Sequence, residues 1–115
     1  MKVTDKKSFQ DWEDSVFGYG YGTGEKYIFP ALKHFLELCN EGPDGICYDF
    51  EIIENELTPT VAWLLIAILS NDEIIYYGTS PRFGLLTDRG IALKEFVMKY
   101  SAQELYAMAV NIEED

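Results

Sequence analysis

The spacing of apolar residues in the first part of the chain predicts two helices. Aromatic residues recur over 8–16 at steps that permit a short amphipathic helix, and apolar residues over 27–40 follow the spacing of one buried helix face. Pro30 suits a first helical turn, so the regular part of the second helix is expected to begin near Phe29. Gly42 is expected to cap its C-terminal end, because the chain there reads Asn-Glu-Gly-Pro.

Two further helices are predicted next, each behind a residue that favours the N-cap position. A brief extended segment at 46–48 leads to Asp49, which is expected to cap a helix over 50–57. Thr58 and the proline after it are expected to open the following helix, over 59–70. That helix is apolar around its whole circumference, and such a helix is normally buried on all sides.

The pattern then changes to a β-hairpin followed by two more helices. A β-rich run at 74–77, a tip containing Gly and Pro at 78–84 and a short strand at 85–87 predict the hairpin. Thr87 is expected to cap a helix over 88–99 that follows the second strand. A Ser-x-x-Glu capping box then opens a last helix over 102–110. The predicted fold class is therefore α+β, mainly α.

Size and composition indicate a single domain over 1–115. Hydrophobic residues make up 48% of the chain and aromatic residues 15%, which is enough for a packed core. Residues 1–26 are expected to form an N-terminal extension that includes a glycine-tyrosine loop, and 111–115 an acidic tail. No apolar run is long enough for a membrane span and no secretory signal is evident, so a cytoplasmic location away from membranes is predicted.

The charge of the chain narrows the classes of partner. The 9 Lys and Arg residues are outnumbered by 20 Asp and Glu residues, which gives a formal net charge of −11. Proteins bind nucleic acid largely by placing Lys and Arg against phosphates. The long-range field of this chain instead repels nucleic acid and anionic lipid surfaces. Nucleic-acid binding is therefore disfavoured unless the few basic residues are concentrated on one surface.

One segment resembles a known family. Over 83–93 the chain contains Leu86-Thr87, two further residues and Gly90. This resembles the leucine-threonine-x-x-glycine sequence that closes the wing and opens the next helix in winged helix-turn-helix regulators of the MarR and PadR type. The resemblance covers about 27–100. It implies a winged helix-turn-helix fold with a small β-hairpin wing, to which this chain adds N- and C-terminal helical segments.

The helices that match the DNA-reading part of this family have an unusual composition. In such regulators the third helix enters the major groove, where Arg, Lys, Asn and Gln read base edges. The matching helix here, over 59–70, has neither a basic residue nor a side-chain amide. The helix before it contributes acidic residues, namely Asp49, Glu51, Glu54 and Glu56. This combination argues against reading of the major groove.

A DNA-binding transcriptional regulator remains the alternative, and it depends on basic residues outside those helices. Lys6 and Lys7 belong to a basic N-terminal arm, Arg82 lies at the tip of the predicted wing and Arg89 at its base. So few phosphate contacts would give weak binding that is sensitive to salt.

Contact with a protein partner is the favoured interpretation, to which DNA binding is the alternative. The glycine-tyrosine loop at 18–24 has no Gly-x-Gly-x-x-Gly spacing for a phosphate, whereas tyrosines give large, rigid protein contacts. The outer face of the third helix also needs a cover, from the aromatic N-terminal segment or from a second subunit. A homodimer through the terminal helices is left open. The expected protein-interaction residues are Tyr19, Tyr21, Thr23, Glu25 and Trp63.

No catalytic residue, metal site or cofactor is predicted. His34 is the single histidine and is expected to face solvent, without the further ligands that a metal needs. Cys39 is expected to pack in the core and Cys47 to lie in or beside a strand, neither with a partnered base. The predicted function is that of a non-catalytic acidic winged-helix protein that acts through protein–protein interaction, as an adaptor, an inhibitor or a DNA mimic.

Overall fold

Helices dominate the described part of the chain, and a small antiparallel sheet joins them. The structure is a computed structural model that describes the backbone of residues 2–17 and 23–110 and the side chains of residues 2–16 and 28–109. The predicted class, α+β and mainly helical, is confirmed. Within these ranges the elements are α1 (Lys6–Phe17), α2 (Thr23–Glu37), β1 (Asn40–Gly42), β2 (Gly45–Asp49), α3 (Phe50–Leu57), α4 (Pro59–Asn71), β3 (Ile75–Tyr76), β4 (Phe83–Leu86), α5 (Asp88–Val97) and α6 (Ala102–Val110).

Helix α2 begins earlier than the sequence predicts. It starts at Thr23, so Pro30 lies inside the helix, and the predictions of a loop reaching residue 24 and a start near Phe29 are wrong. An interior proline removes one helical hydrogen bond and costs about 3 kcal/mol. Burial on either side of it offsets this cost, because Phe29 and Leu32 are both fully buried.

The predicted C-terminal cap of α2 at Gly42 is also wrong. The helix ends at Glu37, and the Lys94 ammonium donates to the carbonyls of Leu36 at 2.6 Å and Cys39 at 2.9 Å. A cation at this end satisfies carbonyls that have no helical partner. Asn40–Gly42 is therefore available to form β1, which pairs antiparallel with β2.

A two-residue turn at 43–44 joins β1 to β2, with Gly42 opposite Gly45. Gly45 has a φ of +133°, in the region that residues with a Cβ rarely adopt. The sequence gives no apolar alternation over β1, whose residues are all exposed. For that reason the sequence predicts only the extended segment at 46–48, and the strand that completes the hairpin is seen only in the structure.

Four predicted N-terminal caps are confirmed. In each, a side-chain oxygen accepts a backbone N–H two or three residues further on; the capping residues are Asp49, Thr58, Thr87 and Ser101. Glu104 completes the capping box by accepting the N–H of Ser101 at 2.8 Å. Thr58 also donates its own N–H to Glu54, with a φ of 77°, so one residue ends α3 and starts α4. The sharp turn between these helices is thus fixed at a single position.

The four strands form one sheet in the order β1-β2-β4-β3, with every neighbouring pair antiparallel. Strand β4 begins at Phe83, so the predicted hairpin tip at 78–84 is too long. Gly84 lies within β4, where a Cβ would come within 2.6 Å of the Tyr48 ring. This glycine therefore permits close packing in a strand and does not mark a turn.

The start of α5 packs tightly against the segment between α4 and β3. Thr87 donates its N–H to the Ile74 carbonyl at 3.0 Å, and its side chain accepts the Gly90 N–H at 3.1 Å. A Cβ on Gly90 would lie 2.1 Å from the Ile74 carbonyl oxygen. Arg89 contacts Asp72 at 3.3 Å. We call these five residues the α4–α5 junction.

Helix α1 is part of the hydrophobic core rather than a peripheral extension. The Phe9 ring lies 5.8 Å from that of Phe29 in α2 and 5.2 Å from that of Phe96 in α5. Trp12 is 1% exposed, and its Nε1 donates to the carboxylate of Asp72. The aromatic N-terminal segment is one of two covers that the sequence leaves open for the outer face of α4; Trp12 of that segment does not supply it, because its ring is buried in the core.

Candidate protein-interaction surface

Helix α4 has one buried face and one exposed face. Ala62, Leu65, Ile66 and Leu69 are buried, whereas Trp63 is 39% exposed and Leu64 52% exposed. The prediction that this helix is buried on all sides is wrong, because α4 lies at the edge of the core and packs on it with one face. We call five of its exposed residues the α4 surface: Thr60, Trp63, Leu64, Ala67 and Asn71.

An aromatic and cationic group adjoins the α4 surface. The centroid of the Phe50 ring, at the start of α3, lies 4.1 Å from the centroid of the Trp63 ring. The Arg82 guanidinium lies over the Phe50 ring, 5.0 Å from its centroid. The Phe50 N–H also donates to the Arg82 carbonyl at 2.8 Å. The loop between β3 and β4 is thus tied to α3, and Arg82 packs on an aromatic face as cations favour.

The surroundings of the α4 surface are acidic. Residues 35–81 carry nine Asp and Glu side chains and no Lys, Arg or His. Helix α3 contributes three of these, Glu51, Glu54 and Glu56. Helix α4 extends one residue beyond its predicted end, to Asn71, and so gains a single amide at its C-terminal end. Cations outside this stretch contact it at several described points: Arg82 lies over Phe50, Arg89 contacts Asp72 and Glu73, and Lys33 contacts Glu37.

Only some of the predicted protein-interaction residues lie in the described part of the chain. Trp63 lies on the α4 surface. Tyr19 and Tyr21 lie outside the described residues, as does the glycine-tyrosine loop from 18 to 22. Thr23 and Glu25 belong to the first turns of α2, and their side chains lie outside the described part.

The four predicted nucleic-acid contacts are distributed over three elements. Lys6 and Lys7 lie on α1, where Lys7 pairs with Asp11 at 3.0 Å. Arg89 opens α5 and contacts both Asp72 and, at 3.8 Å, Glu73. Arg82 is exposed in the loop between β3 and β4. Arg89 is thus engaged by two carboxylates inside the fold, which reduces the positive charge that it can offer a phosphate.

A histidine connects α2 to α3 beside the acidic region. His34 lies 3.0 Å from Glu56 and 3.3 Å from Glu37. The hydrogen bond to Glu56, followed by that to Glu37, raises the pKa of His34 above its ordinary 6.5. Lys33, 3.0 Å from Glu37, lowers the pKa of that carboxyl. His34 therefore pairs across two helices, a contact that its sequence neighbours do not reveal.

The two cysteines differ in their surroundings. Cys39 packs in the core as predicted, and burial raises the pKa of its thiol to about 12. Cys47 lies in β2, as predicted, and is partly exposed. Over residues 2–17 and 23–110, no group of three or more His, Cys, Asp and Glu side chains is arranged to hold a metal ion.

Among the helices of the described ranges, none has both the length and the apolarity that crossing a bilayer demands. Comparison of the chain with protein-family models, with curated proteins and with solved structures gives no match.

Proposed function

We propose that this chain is a non-catalytic winged-helix module that binds a basic protein through the α4 surface. The proposal has two parts, the kind of fold and the kind of partner. Each rests on separate observations, and the second is the one that an experiment on binding can test.

The order and pairing of the elements support the winged-helix part. Helix α2, strand β2, helices α3 and α4, strands β3 and β4 and helix α5 follow one another. The strand before the two helices pairs with the second strand after them, so β2 and β3 flank β4. In this arrangement α4 is the helix that a DNA-binding relative would place in the major groove, and the β3–β4 loop is the wing.

The exposed face of α4 carries the second part. Apolar side chains occupy the positions where base-reading residues would stand, with Trp63 and Leu64 open to solvent. Exposed apolar clusters of this kind are typical of protein contacts. The acidic residues around them would face phosphates in a DNA complex, and there they would oppose binding.

Charge favours a different chain as the partner over a second copy. Two copies would each bring a formal charge of −11 to the complex, and like charges of this size repel. A basic partner gains attraction from the same field. An adaptor, an inhibitor and a DNA mimic all fit this description, because each would bind a basic surface that otherwise binds another anionic molecule.

A pair of matched substitutions tests the proposal. Leu64→Lys and Met98→Lys each place one positive charge at an exposed apolar position, of 52% and 43% exposure. With a purified histone as the basic probe, we expect Leu64→Lys to weaken binding about tenfold, the effect of roughly 1.4 kcal/mol, and Met98→Lys to change it little. Equal loss in both variants would show that only net charge matters and would overturn the assignment of the α4 surface.

Duplex DNA is the second probe and addresses the alternative regulator. Retention of the chain on duplex DNA at low salt is expected to be negligible. Clear retention that is abolished by Arg82→Glu would replace the proposal with DNA binding through the wing and the N-terminal lysines. Histone binding should also weaken as salt rises, because screening reduces attraction between opposite charges.

A further inference from the structure

Strand β3 is an edge strand whose outer side faces a groove. It pairs only with β4 among the strands that the structure describes. The Ile74 carbonyl points toward the β4 side, since it accepts the Thr87 N–H at 3.0 Å. Backbone groups alternate in direction along an antiparallel strand. The N–H and C=O groups of Ile75 therefore point away from β4, toward the open side, and a continuation of the strand past Tyr76 would direct those of Tyr77 the same way.

The groove beside this edge is large enough for another length of backbone. Its volume is about 450 Å³, and its walls are Ala67, Ser70 and Asn71 from α4 and Ile75, Tyr76 and Tyr77 from the β3 edge. Small side chains at Ala67 and Ser70 leave space over the helix. An added strand would lie about 4.8 Å from β3, between the sheet edge and the α4 surface.

The charge of the chain as a whole favours a basic occupant. The six residues that line the groove are uncharged. The two carboxylates that follow Asn71 in sequence, Asp72 and Glu73, both contact Arg89, and the Glu73 side chain is 82% exposed. A segment that carries Lys or Arg is attracted by the formal net charge of −11, whereas a second copy would bring the same negative charge and be repelled.

We propose that an extended basic segment of the partner protein adds to the sheet as a further strand beside β3. Backbone hydrogen bonds to Ile75 and Tyr77 supply the register, and alternate side chains of the segment pack toward Ala67 and the α4 surface. This inference rests on the proposed function, because it names how the basic partner is held. It assigns the binding mode to strand addition and not to a helix laid on α4.

Synthetic peptides test the backbone contribution directly. The probe is a short peptide that alternates lysine and valine, and its binding to the full chain is followed by fluorescence anisotropy. The first control is the same peptide with alternate amides N-methylated, which keeps the charge and side chains but removes the N–H groups of one edge. We expect the methylated peptide to bind at least about tenfold more weakly. Equal affinity of the two peptides would overturn strand addition.

The protein side offers a matched pair at Tyr77. Tyr77 follows the last residue of β3, so proline there removes an outward N–H and leaves the β3–β4 pairs intact. Tyr77→Ala removes the same side chain and keeps the N–H. Tyr77→Pro is expected to bind the lysine-valine peptide about tenfold more weakly than Tyr77→Ala, and equal affinities would contradict the proposal.

A second variant keeps the test valid where Tyr77→Pro fails to fold, as circular dichroism would show. Ala67→Trp fills the groove from an exposed helix position and leaves the β3 backbone unchanged. It is expected to abolish peptide binding. Unchanged binding in this variant would place the peptide elsewhere and overturn the proposal.

The two proposals fail in different ways. Histone binding that depends on Leu64, combined with equal affinity for the plain and methylated peptides, would leave the proposed function standing and remove strand addition. Failure of both the histone and the lysine-valine peptide to bind would remove both. A peptide that alternates glutamate and valine is expected not to bind, and binding equal to that of the lysine peptide would contradict the choice of a basic segment.

Discussion

The two ends of α4 use polar and apolar residues in opposite ways. At the C-terminal end, the α4–α5 junction joins Asp72 to Trp12 and Arg89, and Thr87 to Ile74, within the fold. Further toward the N-terminus, Trp63 and Leu64 leave large apolar areas in contact with water. One end of α4 thus holds the residues that fix the helix in place. The residues that define its outer surface lie further along the same helix.

The motif that suggested the family gains a physical meaning at the junction. Its threonine caps α5, and its glycine allows the first turn of α5 to approach the Ile74 carbonyl. Both residues act at the α4–α5 junction. A sequence can therefore carry this helix-opening motif together with a surface of quite different chemistry, so the motif by itself indicates no ligand.

The largest expected effect is at Gly90. Alanine there would place a Cβ 2.1 Å from the Ile74 carbonyl oxygen, so the backbone must move. We expect Gly90→Ala to lower the free energy of unfolding by about 4 kcal/mol. Gly78→Ala is the matched control, since nothing lies within 4 Å of a Cβ at that glycine. Urea denaturation measures both, and similar stabilities would show that the junction is looser than its geometry implies.

The next prediction compares adjacent leucines on the two faces of α4. Leu65 is fully buried, and Leu65→Ala is expected to lower the free energy of unfolding by about 3 kcal/mol. Leu64 is half-exposed, and Leu64→Ala should cost less than about 1 kcal/mol. Thermal and urea denaturation measure the loss of stability in both variants. A large loss at Leu64 would mean that another part of the chain covers this face, and the α4 surface would then be unavailable to a partner.

The sequence predicts most of the helices and their caps because those signals are local. Asp49, Thr87 and Ser101 cap the helices that their positions indicate, since an N-cap bond spans only two or three residues. Strand β1 is not predicted from the sequence, because its pairing with β2 needs no apolar alternation. Pro30 misleads for a related reason: the burial that outweighs its helix-breaking tendency comes from tertiary packing.

The candidate site is less predictable than the fold. Trp63 was expected to be an interaction residue, and it is exposed, but the sequence alone suggested that the whole helix is enclosed. Which face remains open depends on where α2 and the sheet pack against α4. The contact of Arg82 with Phe50 joins residues far apart in the chain, so no spacing rule anticipates it.

The smallest expected effect concerns His34, at the acidic border between α2 and α3. Its pKa is raised in the folded state by Glu56 and Glu37, so the charged form stabilises the fold. The contribution is fully present below the unfolded value of about 6.5 and is lost as pH rises through the higher folded value. Because the side chain is 37% exposed, solvent screening limits this contribution to less than about 1 kcal/mol.

Substitution of His34 by Gln isolates that contribution from the titration of the rest of the chain. The groups that face His34 are Glu37 and Glu56, with Lys33 holding Glu37 from its other side. The difference in free energy of unfolding between the unchanged chain and His34→Gln should be larger below pH 6.5 than well above it. A difference that stays constant across this range would mean that the His34 contact adds no charge-dependent link between α2 and α3.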